Sequence, residues 1–304
     1  MKIYKIPPAT LLHQYKNGNC DVQIYSDGTK IRTTEDDEFI AQFPENIDCK
    51  VTDKCDAGCP FCFEGSGING AHGDINHPIF STLKKGTEIS LGGGSIFEHP
   101  NFEEFLIRLK DLGVIPNITI NQKHIEIIEN FAKICRWQKE ELVYGVGISY
   151  NGSPGLLEKI IKNLYKPENA VIHTIAGIHD LDPLVSRNSK VLILGYKSIR
   201  RGKNFIEKHN EAIIKKINKL EQKIPEYLNS FKVLSFDNLA LEQLNIKKYV
   251  SPEEWEAHYM GDDGSFTMYI DLVKEEFAKN STSMDRYGLN DYNSIEEIFN
   301  KIKN

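Results

Sequence analysis

The segment Lys54-Cys-Asp-Ala-Gly-Cys-Pro-Phe-Cys-Phe63 carries half of the cysteines in the chain, namely Cys55, Cys59 and Cys62. Their i, i+4, i+7 spacing would place the three on one stripe of a helix, so a buried helical face has to be considered first. Gly58 and Pro60 argue against a helix, because a glycine and a proline inside one helix together cost about 4 kcal/mol. The segment is therefore predicted to be a loop that follows a strand.

Three thiolates on such a loop can hold a 4Fe-4S cluster by three of its irons and leave the fourth iron open to an outside ligand. Structural zinc is the competing interpretation, and because a closed zinc site needs four protein ligands, Cys49 or His72 would have to be the fourth. Zinc motifs commonly contain two C-x2-C pairs, whereas this segment contains one. Cys20, Cys49 and Cys135 are scattered and are read as small buried side chains.

Downstream of the N-terminal region, short β-rich runs alternate with segments of helical period, which is typical of parallel βα units. The predicted strands are 47–51, 88–91, 118–120, 143–148, 170–175 and 191–194. The predicted helices include 102–112, 125–134 and 155–164. Six consecutive units indicate an α/β fold in the form of an open or closed barrel.

The two ends of the chain differ from this core. Residues 1–45 are predicted to form a β-hairpin appendage, with strands 21–25 and 30–33 around a turn at Ser26-Asp-Gly28. Residues 46–204 are assigned to the barrel, and residues 205–304 to a C-terminal α/β extension. That extension has a solvated helical segment at 205–228, strands at 232–235 and 265–270, and a last helix at 294–302.

Bulk properties exclude some classes of protein. The net charge of −6 and the pI of about 5.9 give no general attraction to nucleic acid, so a nucleic acid partner is not expected. The N-terminus lacks the apolar core of a signal peptide, and no stretch approaches the ~18 apolar residues of a membrane span. The chain is expected to act in the cytoplasm without a membrane.

The cysteine segment resembles the signature of the radical S-adenosylmethionine (SAM) superfamily, C-x3-C-x2-C with an aromatic or apolar residue before the last cysteine, here Phe61. The resemblance implies a partial (β/α)6 TIM-like barrel with a 4Fe-4S cluster on the loop after its first strand. It implies that SAM binds the open iron and is reductively cleaved to a 5′-deoxyadenosyl radical, which abstracts hydrogen from a substrate. It also implies a one-electron reductant such as flavodoxin or ferredoxin. Because no cysteine follows Cys135, a single cluster is expected.

The resemblance also marks positions that would bind SAM at successive strand ends. Gly92, Gly93 and Gly94 follow the second strand, where the family has a Gly-Gly-Glu-like turn, although Gly94 replaces the glutamate. The remaining candidates follow strands four, five and six, and they are Ser149, Asn151, Ile175 and Tyr196. Ordinary turn chemistry is the alternative for the glycines and the polar residues.

Substrate candidates lie in and beyond the last part of the barrel. Arg200 and Arg201, on a predicted loop, would pair a carboxylate of SAM or of substrate, or else be solvated. Asp237, Glu242 and Tyr269 lie after or near the ends of the two C-terminal strands, at the face where barrel sites lie. A helix N-cap is the alternative for Asp237.

Three functions remain open on sequence alone. The leading one is a radical-SAM enzyme acting on a small molecule, a peptide or a nucleotide. The second is an iron-sulfur or zinc binding protein without catalysis. The third is a metal-free barrel enzyme with Asp237 and Glu242 as acid and base.

Overall fold

The computed structural model of the chain describes residues 9–185 and 189–303. Residues 1–8, on which the expectation about a signal peptide rests, lie outside them. The N-terminal region forms a three-stranded antiparallel sheet of β1 (Leu11–Asn17), β2 (Cys20–Tyr25) and β3 (Lys30–Thr33). The predicted hairpin is present as β2 and β3, and β1 is an additional strand that the sequence analysis missed.

A second, ten-stranded sheet forms the body of the protein. Six parallel strands make its centre: β4 (Asn46–Thr52), β5 (Glu88–Gly93), β6 (Ile115–Asn121), β7 (Val146–Ser149), β8 (Ala170–Ile175) and β9 (Lys190–Leu194). The C-terminal region adds β10 (Val233–Phe236), β11 (Thr267–Asp271), β12 (Glu276–Ala278) and β13 (Tyr287–Gly288). The strand order is β10-β9-β8-β7-β6-β5-β4-β11-β12-β13.

Helices connect most of these strands. They are α1 (Phe102–Asp111), α2 (Gln122–Ile125), α3 (Ile128–Lys139), α4 (Pro154–Lys162), α5 (Arg201–Tyr227), α6 (Asn238–Gln243), α7 (Pro252–His258) and α8 (Ile295–Lys303). In the described part of the chain, the connections after β4 and after β8 contain short 3-10 turns and no α-helix. The predicted α/β architecture is confirmed, with these two connections as departures from regular βα repeats.

The two C-terminal strands join opposite ends of the central sheet. β10 pairs parallel with β9, whereas β11 pairs parallel with β4, the strand that precedes the cysteines. The seventh predicted strand, β10, thus continues the order of the six central strands beyond β9. The eighth, β11, lies at the opposite end of that series, beside β4. The C-terminal region therefore adds strands at both ends of the central parallel sheet.

Predicted boundaries differ from the structure where backbone groups find other partners. The fourth strand was expected to begin at Val143, but the amide groups of Leu142 and Val143 donate to the carbonyl of Trp137 at the end of α3. β7 therefore begins at Val146. The fifth helix begins at Arg201, so Arg201 lies in its first turn rather than on a loop.

Side chains of the central strands alternate between an apolar and a polar face, as the period of two requires. On β4, Ile47, Cys49 and Val51 enter the core, while Asp48 and Lys50 lie on the other face. Parallel sheets covered by helices on both faces are apolar on both. The polar face of this sheet is therefore available for a site, and its carboxyl edge carries the cysteine loop.

No helix in the ranges 9–185 and 189–303 combines the length and the apolar character needed to cross a bilayer.

Candidate active site

The cysteines lie on an irregular loop directly after β4, as Gly58 and Pro60 predict. Gly58 has a φ of 65°, in the left-handed region that favours glycine. The amide of Cys62 donates to the carbonyl of Cys59 at 3.3 Å, and the amide of Cys55 donates to Gly67 at 2.9 Å. The three thiols are half-buried, and none of them is in a disulfide.

Residues at the end of β6 hold the first half of this loop. Asn121 Nδ2 lies 3.5 Å from the Sγ atom of Cys59, and Lys123 Nζ donates to the carbonyl of Ala57 at 2.9 Å. The buried His124 contacts Asp56 at 2.8 Å, and this hydrogen bond lowers the pKa of the Asp56 carboxyl. These contacts are not predictable from local sequence, because they join residues that are more than sixty positions apart.

The start of α5 holds the second half of the loop. Arg200 donates to the carbonyl oxygen and to the carboxylate of Glu64, at 2.8 and 3.0 Å, and Arg201 donates to Gly65 at 3.4 Å. Lys197 Nζ lies 4.1 Å from the centroid of the Phe63 ring. The two arginines therefore contact the cysteine loop, and Arg200 already has a carboxylate partner within the chain.

A buried ion network connects the loop to the sheet. Lys50, 1% exposed, places its ammonium 2.7 Å from Asp53, 3.1 Å from Glu64 and 3.2 Å from Asp271. Burial lowers the pKa of Lys50, but its carboxylate partners outweigh burial and hold the pKa above its usual range. The buried Tyr269 hydroxyl donates to Glu64 at 3.3 Å. Removing one partner from such a network is costly, since a charge is then left in a poorly solvated place.

Glycines allow the turn after β5 to lie against the stem of the loop. A methyl group on Gly94 would lie 2.3 Å from the carbonyl oxygen of Lys54, and one on Gly93 would lie 2.6 Å from that of Thr52. Gly93 also has a φ of 103°. A methyl group on Gly92 would meet only ordinary contacts. Gly93 and Gly94 thus have a packing reason to be glycine.

The donor set fits a cluster better than one zinc ion. Four tetrahedral ligands at about 2.3 Å from one zinc ion lie roughly 3.8 Å apart. Within the described ranges, the one group of three potential ligands whose donor atoms all lie within 4.8 Å of one another is Cys55, Asp56 and His124. At least one pair of the three thiols is therefore more than 4.8 Å apart. Neither candidate for a fourth zinc ligand joins them. Cys49 is buried in the core, and His72 Nδ1 lies 2.9 Å from the Thr52 hydroxyl.

The surroundings of Cys59 also suit an anionic cluster. Burial raises the pKa of the Cys59 thiol, Cys62 raises it further, and Lys123 and Arg201 lower it. Arg201 Nε is buried without a hydrogen-bond partner among the described residues. Cluster sulfur atoms accept hydrogen bonds that tune their potential, so this nitrogen is a suitable donor.

Two of the candidate SAM-binding residues, Ser149 and Ile175, each have a neighbour that contacts the cysteine loop. Ser149 ends β7 beside Asn121, the residue that contacts Cys59. The amide of Ile175, at the end of β8, donates to Nδ1 of His179, whose ring packs edge-on against Phe61 at 6.0 Å. Burial lowers the pKa of His179 to about 4, so this imidazole is neutral.

The other two have structural partners. Asn151 accepts a hydrogen bond from the amide of Ser153 at the start of α4, and its own amide donates to Gln122. The buried Tyr196 donates its hydroxyl to the carbonyl of Gly202 at 2.7 Å. The Tyr196 hydroxyl therefore has a partner within the chain.

The substrate candidates are dispersed. Asp237 caps α6 by accepting from the amide of Ala240, and it also accepts from Gly195, both at 2.8 Å. Tyr269 belongs to the Lys50 network. Glu242 is exposed and lines two clefts of the C-terminal region. The sequence signals that could have pointed to this network are Lys50, in the strand before the cysteines, and Glu64, two residues after Cys62.

The packing of Gly94 leads to a stability prediction. Gly94→Ala is expected to lower the free energy of unfolding by about 1–3 kcal/mol, because the new methyl group meets a backbone oxygen that cannot move alone. Gly92→Ala, the matched control, should change it by less than about 1 kcal/mol. Urea unfolding followed by circular dichroism measures both, and equal effects of the two substitutions would refute the close approach.

The Lys50 network leads to a second prediction. Glu64→Gln is expected to cost about 3 kcal/mol of unfolding free energy, since Lys50 and Arg200 lose a buried carboxylate. Glu98→Gln is the control, because Glu98 pairs with Lys54 on the surface, where an ion pair contributes less than about 1 kcal/mol. A loss below 1 kcal/mol for Glu64→Gln in the same unfolding experiment would contradict the role of the network.

Comparison with known proteins yields structural neighbours and no sequence matches. No protein-family model matches the chain, and no curated protein matches it. SuiB of Streptococcus suis bound to the precursor peptide SuiA superimposes with a TM-score of 0.59 at 12% identity, over 86% of this chain. SuiB bound to S-adenosylmethionine gives a TM-score of 0.56, also at 12% identity and over 86% of this chain.

The chain spans 65% and 66% of the length of these two SuiB chains. At such low identity the likeness concerns the fold. The fold of this chain therefore resembles that of SuiB, and the predicted fold class, a mixed α/β fold with a largely parallel sheet, is confirmed.

Proposed function

We propose that this chain is a radical-SAM enzyme whose Cys55, Cys59 and Cys62 hold a 4Fe-4S cluster. The observation that carries the proposal is the placement of the three thiols on one loop at the carboxyl edge of a parallel sheet with the SuiB fold. That edge is where α/β proteins bind ligands. The SuiB complex with S-adenosylmethionine supports the same cofactor here.

The bound cluster and SAM would together supply a 5′-deoxyadenosyl radical that abstracts hydrogen from the substrate, after one electron arrives from a flavodoxin- or ferredoxin-type donor. The residues of the chain have to position these groups and keep water away. Asn121, Lys123 and His124 hold the first half of the loop, and Arg200 and Arg201 the second. The buried Arg201 Nε atom, which has no hydrogen-bond partner among the described residues, is proposed to donate to the cluster.

SAM would lie along the strand ends beyond the loop. The backbone of Gly92 to Gly94 is proposed to meet its amino group, and Ser149 and Ile175 its adenosine part. Tyr196 is proposed to offer its ring rather than its hydroxyl, since the hydroxyl already bonds to Gly202. The complex of SuiB with the precursor peptide SuiA supports a peptide as the substrate class, ahead of a small molecule or a nucleotide.

The direct test is cleavage of SAM. Protein reconstituted anaerobically with iron and sulfide, reduced with dithionite and given SAM is expected to form 5′-deoxyadenosine, measured by liquid chromatography with mass detection. Cys59→Ala should abolish both the cluster absorbance and the product. Cys135→Ala, at a thiol on α3, is the control and should retain both. A fully loaded cluster that yields no 5′-deoxyadenosine would refute the enzyme and leave a non-catalytic iron-sulfur protein.

A zinc binding protein is the second candidate, because Cys55, Asp56 and His124 have their donor atoms within 4.8 Å of one another. Metal analysis of the same preparations separates the two functions. Zinc without iron, retained in Cys59→Ala and lost in His124→Ala, is the result expected of this alternative.

A further inference from the structure

Two clefts adjoin in the C-terminal region, on the side of the sheet where β9 and β10 end. The larger, about 440 Å³, lies against α6 and α7, and the smaller, about 250 Å³, lies between α6 and the segment after β12. Both are lined by Asn238, Glu242 and Asp263. The two clefts adjoin along these three residues, and together they are called the groove.

The groove leads to the cysteine loop. Lys197 lines one end of it, and the ammonium of Lys197 lies against the ring of Phe63, the residue after Cys62. Ser281, on the opposite wall, accepts a hydrogen bond from the same ammonium at 2.9 Å. A chain lying in the groove would thus reach the candidate site at this end.

The groove has an excess of negative charge. Four carboxylates line it, those of Asp237, Glu242, Asp262 and Asp263, against the two ammonium groups of Lys197 and Lys247. Burial raises the pKa of the nearby Tyr259 to about 12, with Asp262 and Asp263 contributing.

The carboxylates differ in how many hydrogen bonds they already accept within the chain. Asp237 caps α6, and Asp263 accepts from Asn238 at 2.7 Å and from Asn280 at 2.6 Å. In the ranges that the structure covers, the Glu242 carboxylate has no hydrogen-bond or ion-pair partner. It lies where the two clefts meet, so it is free to pair with a ligand.

The outer cleft also has an aromatic wall. The rings of Trp255 and Tyr259 stack at 4.7 Å with an angle of 19°. The ammonium of Lys247 lies 5.4 Å from the centroid of the Trp255 ring. The chain thus shows that this wall accepts an ammonium group, in the manner of cation–π contacts.

We infer that this groove binds a basic segment of a peptide, with a lysine or arginine side chain paired with Glu242 at the junction and another against the Trp255–Tyr259 wall. The inference rests on the proposed function in treating that peptide as the substrate. The groove has room for several side chains, and its open carboxylate and aromatic wall match an extended basic chain better than an acidic or apolar one.

Binding can be measured without the cluster. Trp255 is one of two tryptophans, and the other, Trp137, is buried beneath α1, so Trp255 reports on the groove. The full-length Cys59→Ala chain is titrated with N-acetyl-tetralysine amide, N-acetyl-tetraglutamate amide or spermidine. The lysine peptide is expected to change the fluorescence with an affinity that falls as salt rises. Trp255→Phe should abolish the change.

The charge variants make the test specific. Glu242→Gln is expected to weaken the lysine peptide about three- to tenfold, and the matched control Glu253→Gln, on the exposed face of α7, less than about twofold. Spermidine binding as tightly as the peptide would overturn the peptide assignment in favour of a free polyamine. Equal binding of the glutamate peptide, no binding at all, or equal effects of the two variants would overturn the groove itself. Because no cluster takes part, failure here leaves the test of SAM cleavage unaffected.

Discussion

A buried lysine on the first strand of the central sheet constrains the rest of the site. Lys50 is almost inaccessible to water, and an unpaired ammonium in that place would be strongly destabilising. Its partners come from three parts of the chain: Asp53 before the cysteines, Glu64 after them and Asp271 at the end of β11. Satisfying this one charge therefore fixes both ends of the cysteine loop and ties the C-terminal strand to β4.

The same constraint links the loop to the segment that follows β9, on the other side of the central sheet. Glu64 also pairs with Arg200 and accepts from Tyr269, so the start of α5 and the middle of β11 meet at one carboxylate. The three thiols lie between these fixed ends, and the Sγ atom of Cys59 is 3.5 Å from Asn121 at the end of β6. A reactive site of this kind needs rigid support, because small displacements of a positioned group reduce rates strongly.

The cysteine loop and the central strands were predictable because both rest on local signals. Gly58 and Pro60 exclude a helix, and strands such as Ala170–Ile175 carry β-rich apolar runs of the right length. The side on which β11 pairs was not predictable, because its choice of β4 over β10 depends on contacts across more than two hundred residues. The strand predicted to begin at Val143 begins at Val146 for a related reason. The amide of Val143 donates to the carbonyl of Trp137 at the end of α3 and is not available to the sheet.

The candidate site likewise contains residues that were predictable from local sequence and residues that were not. Spacing alone identified Cys55, Cys59 and Cys62, whereas the partners of the loop were invisible because each is distant in sequence. The sequence predicts that Arg200 pairs a carboxylate of SAM or of substrate or else is solvated, whereas the structure shows it paired with Glu64. Two adjacent arginines in a sequence show that positive charge is present, but not which groups their side chains contact. Their partners are therefore known only from the fold.

The three thiolates are proposed to hold a cluster with one iron open to SAM. Electron paramagnetic resonance of the anaerobically reduced protein, recorded with and without SAM, tests this most directly. We expect a reduced 4Fe-4S signal that changes shape when SAM is added and that is absent in Cys59→Ala. A reduced cluster whose signal is the same with and without SAM would contradict it.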